Sequence, residues 1–374
     1  MNFFRKFALR IRMHRKVDLI IFATTGSYEI IEFLLKKNFT YSIYDCKKIT
    51  LYFNLFFFYK LFINIYKYRN SGDNFFKWLY LCYVYTEIEC INPKIVITYE
   101  DDNNIYHRLN SMSTTFKFMA IQNGLREKYH LKQIINKDVS HDIYFCFGEN
   151  DIDKIKSYDW DVKESIPIGS LRAGISLEKF RDVKKIYDLC YVSEWKENYP
   201  QFDEYENPCN IDHKWSYFSR FVDNVIFHFY KRNNIKLVVA LRSDNPRERR
   251  YFSSHLGSNV IFTKTSNNDY RNYKTIMESY ITVGFASTLL LESLALGTKV
   301  VSIDPSLSSK YFHYDEFIKY RYDKYNSFEK YLLKLIDFKN NHQLQYTNNS
   351  FAMNVSINAL PQSILRKSIF EHLK

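Results

Sequence analysis

Glycine and proline are scarce in this chain, nine and seven residues out of 374. That excludes collagen-like and low-complexity architectures and leaves a sequence that spends its length on regular elements. The six cysteines, Cys46, Cys82, Cys90, Cys146, Cys190 and Cys209, show no C-x-x-C spacing. Most lie in apolar runs, so reduced, buried thiols in a cytoplasmic protein are expected rather than a disulfide framework or a zinc site. No uninterrupted apolar run reaches the ~18 residues that a membrane-spanning helix requires. The ten histidines show neither H-x-x-x-H nor H-E-x-x-H spacing, and no structural or catalytic metal is expected. Walker A, G-x-G-x-x-G and G-x-S-x-G patterns are missing, which weakens kinase, dehydrogenase and hydrolase readings.

What is present is charge and aromaticity. The formal net charge is +12, and Tyr and Phe number 32 each. The aromatic richness, with abundant Asn, Lys and Ile, reads as codon drift as much as functional choice and is no evidence for base stacking. The charge implies an anionic partner. A nucleic-acid binder would gather its Lys and Arg in a recognisable module. Here the clearest gathering is terminal: Arg5, Lys6, Arg10, Arg12, Arg15 and Lys16 precede the first acid, Asp18. With Phe3, Phe4, Phe7, Ala8 and Ile11 this reads as a short basic amphipathic helix, suited to an anionic membrane face or packed on the protein with a solvated side. No apolar h-region accompanies it, so it does not read as a secretory signal.

Strand and helix signals alternate along the chain, predicting an α/β fold with parallel sheets. The first series has strands at 17–23, 41–44, 94–98, 116–121, 143–147 and 165–168. Its helices are expected at about 28–37, 49–69, 74–91, 104–112 and 150–157. The helix near 51–66 carries Phe53, Phe56, Phe57, Phe58 and Phe62 and reads as a buried core helix or an apolar contact surface. After a join near 170–186, a second series places strands at 187–192, 235–241, 260–263, 280–283 and 299–303. Helices fall at 214–233, 246–256, 269–278 and 288–296, with later ones near 327–339 and 360–374. The predicted division is an N-terminal Rossmann-like domain over 1–175, a second over 186–350, and a C-terminal helix in 351–374 that could pack back on the first domain. Ligands then belong at the carboxyl ends of the strands.

The most informative segment runs from Tyr280 to Ile303. A short apolar strand leads through Gly284-Phe285-Ala286-Ser287 into a helix that stops at Gly297, and a second strand follows. Ser287 and Thr288 sit at the helix N-terminus, where backbone N–H groups and the helix dipole favour a phosphate. Glu292 lies about one turn further along, where a carboxylate could hold a ribose diol. Phosphate at the tip and ribose one turn along describe a nucleotide. Any Rossmann-like crossover also has a small-residue turn followed by a helix.

This segment resembles the donor-binding motif of GT-B-fold glycosyltransferases, especially bacterial capsule and O-antigen enzymes. Gly284, Ser287, Thr288 and Glu292 match its Gly-x-x-Ser-Thr-x-x-x-Glu run. Further pieces, in chain order, resemble O-antigen and surface-carbohydrate biosynthesis proteins: Asp102-Asn103, Gln122-Asn123-Gly124-Leu125-Arg126, Ile168-Gly169-Ser170 with Arg172, and Val192-Ser193-Glu194-Trp195. The resemblance implies two Rossmann-like domains facing across a cleft, the GT-B architecture. It also implies a metal-independent transferase with a nucleotide-sugar as substrate and no cofactor.

The remaining candidates all lie at strand ends. In Glu100-Asp101-Asp102-Asn103 a carboxylate could deprotonate an acceptor hydroxyl, and Asp102 is the expected base. The same loop also reads as a helix N-cap, and its acids lack the D-x-D spacing of metal-dependent transferases. Asn123, Gly124 and Arg126 supply donors and a tight turn, and with Asn103, Gly169, Ser170 and Arg172 they form the expected acceptor side. Arg242 and Lys264 follow strands and could meet a diphosphate, or simply be surface charge. Ser193-Glu194 likewise follows a strand and is expected to line the donor side.

The expected activity is transfer of a sugar from a nucleotide-sugar donor to a surface-polysaccharide or polyprenyl-linked glycan acceptor. The enzyme would work in the cytoplasm, peripherally on the inner face of the membrane, with no nucleic acid as partner. Alternatives are a glycerophosphotransferase-like enzyme or a nucleotide-sugar epimerase on the same fold, or a basic membrane- or nucleic-acid-binding protein without turnover.

Overall fold

The computed structural model describes residues 6–10, 15–35, 39–45, 48–52, 54–69, 74–113, 115–124, 126, 139–158, 160–197, 211–243, 245–263, 269–304, 318–321, 328–330, 332–333, 336 and 360–373. The chain forms two compact units, one of residues 1–171 together with 352–374 and the other of residues 172–351.

The first unit is built on a six-stranded parallel sheet. Its strands are β2 (Leu19–Phe22), β3 (Tyr41–Tyr44), β5 (Ile95–Thr98), β6 (Lys117–Ile121), β7 (Ser140–Cys146) and β8 (Asp161–Pro167), in the spatial order β3-β2-β5-β6-β7-β8. Leu19, Ile20, Ile21 and Phe22 are all inaccessible to solvent, as a parallel strand covered on both faces requires. Each such side chain contributes about 1.5–3 kcal/mol on leaving water. The helices are α2 (Leu55–Lys67), α3 (Phe75–Ile91), α4 (Asn104–Met112) and α5 (Glu149–Ser157). A single turn, α1 (Ser27–Glu29), widens into a π-helix at Ile30–Leu34, where the sequence predicts one regular helix over 28–37.

The N-terminal reading is corrected. Residues 6–10 form a strand, β1 (Lys6–Arg10), paired in parallel with β4 (Lys48–Tyr52), Leu9 opposite Leu51. The physical reason is visible in hindsight: Phe7, Leu9, Ile11 and Met13 alternate with polar or small residues, a period of two that outcompetes the helical spacing. Residues 1–5 and 11–14 of the expected basic helix lie outside the described residues, and Arg15 and Lys16 are not helical. β4 also shortens the expected helix over 49–69. Asn54 accepts hydrogen bonds from the Phe56 and Phe57 amides, so α2 begins only after this cap.

The second unit carries β9 (Tyr187–Val192), β10 (Leu237–Ala240), β11 (Ile261–Thr263), β12 (Ser279–Gly284), β13 (Lys299–Asp304) and β14 (Ile318–Arg321), in the order β11-β10-β9-β12-β13-β14. Its helices are α6 (Leu171–Lys179), α7 (Ile211–Arg232), α8 (Pro246–Leu256), α9 (Arg271–Met277) and α10 (Thr288–Ala295). Counted along the unit, the strand order is 3-2-1-4-5-6, the doubly wound arrangement of dinucleotide-binding sheets. Two elements are not predicted by the sequence: α6, which occupies the first part of the expected join at 170–186, and β14, whose Ile-Lys-Tyr-Arg is too polar to signal a strand. α6 sends Ala173 into the same apolar cluster as Cys190, Val238 and Ala240 of the second sheet. The final helix α11 (Pro361–Leu373) is tied to the first unit, where the Arg366 guanidinium donates to the Phe33 carbonyl at 2.6 Å and Lys117 Nζ lies 3.0 Å from His372 Nδ1.

Candidate functional site

In a doubly wound sheet the loops diverge, and a crevice opens, where the strand order reverses. In the second unit that point lies between β9 and β12, which pair directly, Val283 opposite Tyr191. The loop leaving β9 begins with Ser193 and Glu194, and the loop leaving β12 is Phe285-Ala286-Ser287. A Cβ on Gly284 would lie 3.2 Å from a Leu290 methyl and 3.3 Å from the Val192 carbonyl, so the two strand ends approach as closely as glycine permits.

The two loops are joined by carboxylates. Glu194 Oε1 accepts from the Ala286 amide at 2.6 Å, bridging the reversal point. Glu248, in the first turn of α8, is completely buried. Its Oε1 accepts from Ser193 Oγ at 2.6 Å and from the Arg242 amide at 2.8 Å. Its Oε2 accepts from the amide and hydroxyl of Ser243, both at 2.9 Å. One carboxylate thus clamps the loops after β9 and β10. The sequence predicts Glu194 on the donor side with Ser193 but not Glu248, whose partner Ser193 lies 55 residues away.

Ser287 caps α10 through its side chain, which accepts from the Leu289 amide at 3.3 Å. Thr288 opens the helix and is half-buried. Gly297, at φ 73°, ends it, with the Gly297 amide donating to the Leu294 carbonyl at 2.9 Å. Glu292 is buried and accepts from the Tyr273 hydroxyl at 2.8 Å, so α9 sets its orientation. The Arg242 side chain is exposed at the end of β10. Lys264 lies outside the described residues. The structure therefore gathers Ser193, Gly284, Ser287 and Thr288 at the carboxyl edge of one sheet, with Arg242 on the adjacent loop.

The first unit has its own reversal, between β2 and β5. Gly26, at φ 71°, follows β2 so closely against the loop after β5 that a Cβ there would overlap the Tyr99 side chain at 2.4 Å. Of the three acids in that loop, Asp101 is buried and Asp102 is exposed. Asp101 is the hub: Oδ2 accepts from Arg126 Nε at 2.8 Å and the Tyr144 hydroxyl at 2.7 Å, while Oδ1 accepts from the Asn123 amide at 3.2 Å and from Arg126 Nη2. Burial would lower the Arg126 guanidinium, but the Asp101 charge overcomes it and holds Arg126 above its ordinary range. Desolvation pushes the Asp101 carboxyl up, against the pull of Arg126 and Tyr144.

Arg126, expected as a ligand donor, is thus spent on the protein's own loop. Asn123 Nδ2 donates to the Tyr99 carbonyl at 2.7 Å, and the Gly124 carbonyl accepts from Gln122 Nε2 at 3.0 Å. Asn103 is the N-cap of α4, accepting from the Ile105 and Tyr106 amides. Asp102 is the acid left facing solvent beside this fixed assembly. Gly169, at φ 84°, and the fully buried Ser170 turn the chain out of β8, and Arg172 lies in the first turn of α6. Among the described residues no cluster of three His, Cys, Asp or Glu side chains is placed to hold a metal ion.

Comparison with solved structures finds the same architecture throughout the chain. A UDP-GlcNAc 2-epimerase from Neisseria meningitidis, solved bound to UDP-GlcNAc, matches with a TM-score of 0.55 and 14% identity, over 95% of this chain and 98% of that one. S. aureus MnaA, solved with UDP, matches with a TM-score of 0.52 and 12% identity, over 96% of each chain. The wall teichoic acid polymerase TagF, soaked with CDPG, matches with a TM-score of 0.51 and 12% identity, over 96% of this chain and 89% of that one. At these identities the likeness establishes the fold, which is GT-B. Curated protein sequences give no match. The family described as "putative O-antigen biosynthesis protein" matches residues 119–332. That stretch is more than half of the chain and includes both the Asn123–Arg126 loop and the whole β12–α10 motif, and the protein belongs to this O-antigen biosynthesis family.

Proposed function

We propose that the protein is a metal-independent glycosyltransferase that moves a sugar from a nucleotide-sugar donor to a surface-polysaccharide or polyprenyl-linked glycan acceptor. The observation that carries this reading is the β12–α10 turn at the reversal point of a 3-2-1-4-5-6 sheet. A helix N-terminus pointing from that position suits a phosphate. Glu194 holds the Ala286 amide and so shapes the turn, which leaves phosphate contacts to Ser287 and Thr288, with Arg242 on the neighbouring loop. Glu292, oriented by Tyr273, meets the ribose. The nucleotides named with the solved GT-B structures, UDP-GlcNAc and UDP, support a donor of this class.

Asp102 is the proposed base. An acceptor hydroxyl gives it a proton as the oxygen attacks the sugar's anomeric carbon, and the nucleoside diphosphate leaves with the bonding pair. Asp101 and Arg126 do not touch the acceptor in this scheme. They fix the loop that carries Asp102.

A second reading is favoured by the architecture shared with the epimerase and with TagF: the same nucleotide seat serving sugar epimerisation or glycerophosphate transfer. Incubation with UDP-, GDP-, CMP- and CDP-linked donors separates the three. The proposal expects nucleotide release that depends on a glycan acceptor and falls at least about a hundredfold in Asp102→Asn, the usual scale for a lost general base. Conversion of the donor sugar without any acceptor supports the epimerase. Release only from a CDP-linked polyol supports glycerophosphate transfer. No turnover of any donor contradicts all three.

A further inference from the structure

The helix α2 is apolar on its outward side as well as on its packed side. On its packed side Phe57 is fully buried, but so is Asn64, whose Nδ2 donates to Thr86 Oγ1 and to Glu89 Oε2, both at 3.0 Å. Lys60 adds an ion pair to Glu89 at 3.2 Å. The outward side is aromatic and aliphatic. Leu55 is 90% exposed and Phe62 70%, and Phe58, Tyr59 and Tyr66 stand beside them at helical spacing. Phe76, at the start of α3, is 77% exposed next to an exposed Phe75. A helix that served only the protein core would place these side chains inward and its amide outward. A contiguous exposed apolar face of this kind marks an interaction surface.

The charges around the face identify what it meets. α2 contains no acidic residue, and the first acid along α3 is Glu87, far from Phe75 and Phe76; Asp73, two positions before Phe75, lies outside the described residues. Cations are interleaved with the rings: Lys67 lies 4.9 Å from the Tyr68 ring centre and Arg69 4.8 Å from that of Tyr66, whereas Lys60, 5.4 Å from the Phe56 ring centre, is already paired with Glu89. Lys77 follows Phe76. Pairing this face with a second copy of itself brings cation against cation, with no carboxylate on α2 to answer them. A surface that is anionic on the outside and apolar just beneath satisfies both features. Among the described residues no helix is long and apolar enough to cross a membrane, so α2 would lie along such a surface.

We propose that the outward face of α2, with Phe75 and Phe76, docks this chain on the interfacial layer of an anionic phospholipid bilayer. Rings enter the headgroup–acyl boundary while Lys67, Arg69 and Lys77 meet lipid phosphates. The assignment does not depend on the transferase reading. A chain that binds vesicles yet turns over no donor keeps this proposal and loses that one.

The test is co-sedimentation of the full chain with vesicles of phosphatidylcholine alone or mixed equally with phosphatidylglycerol, at low and high salt. The expected result is retention on the mixed vesicles, weakened but not abolished by salt. The double substitution Phe58→Ser, Phe62→Ser should lower partitioning at least about tenfold with an unchanged melting curve. The pair Lys67→Glu, Lys77→Glu should remove the preference for phosphatidylglycerol, and this variant decides the matter should the serine variant melt early. Equal recovery of the parent chain in both supernatants overturns the proposal. So does a serine variant that is well folded and binds like the parent. Lipid-free dimers that the serine substitutions disperse would assign the face to a second copy instead.

Discussion

His107 and His141 show how closely single residues in the first unit are tuned. They meet on α4 and β7 with ring centres 4.8 Å apart, both buried, and none of their four ring nitrogens has a hydrogen-bond partner among the described side chains. Tyr106 and Tyr144 pack against His141, and its ring is fully enclosed. Desolvation pulls His107 down to about 4 and, with the charge of His107, pulls His141 well below its ordinary value. The unfolded chain takes up both protons near the ordinary value of about 6.5, whereas the folded chain refuses them. Stability is therefore complete above that value and falls as pH drops toward 4. His107 alone accounts for a loss of about 2 kcal/mol at about pH 5. Melting temperature followed from about pH 7 to about pH 5 should fall steeply in the parent chain and less steeply in His107→Phe, with both traces compared to their own neutral values. Identical slopes would place the titration elsewhere.

Elements explain what was legible in the sequence and what was not. Runs such as Leu19–Phe22 and Tyr187–Val192 signal buried parallel strands because both sheet faces demand apolar side chains. The helix over 246–256 was readable at both ends, from Asn245 and Pro246 at its start to Gly257 at its stop. β1 (Lys6–Arg10) reads as helix because the alternation that runs through it from Phe7 to Met13 in the sequence also admits a helical spacing. α6 was missed because Gly174 interrupts it. The four residues of the β12–α10 motif lie within one βαβ unit, where the resemblance to a donor-binding motif singles them out as candidates. Glu194 follows a strand and is legible with Ser193, but Glu248 is not, since its hold on Ser193 comes from loops that only the fold brings together. That difference sets an expectation for Glu248→Gln. The amide keeps the shape but exchanges one acceptor oxygen for a donor; the serine hydroxyl there can turn and accept from it, whereas one backbone N–H is left facing a donor, at a cost of about 1–3 kcal/mol. Urea unfolding measures it directly. A change within experimental scatter would mean that the clamp on Ser193, Arg242 and Ser243 is dispensable.

For the whole molecule, two parallel sheets of different winding divide the work proposed here. The first carries a loop assembled around Asp101 with Asp102 outermost, and the second carries the nucleotide seat. The basic character of the chain, +12 overall, fits anionic partners of both kinds, a diphosphate and a lipid surface. The central claim is the nucleotide seat at the turn between β12 and α10. Calorimetric titration of UDP, GDP and CDP into the full chain tests it most directly, with Thr288→Val as the isosteric control that removes a single hydroxyl. The account predicts saturable binding of at least one nucleoside diphosphate, weakened about tenfold in Thr288→Val, the loss expected for one hydrogen bond to a charged group. No heat of binding from any of the three, or equal affinity in the variant, would contradict it.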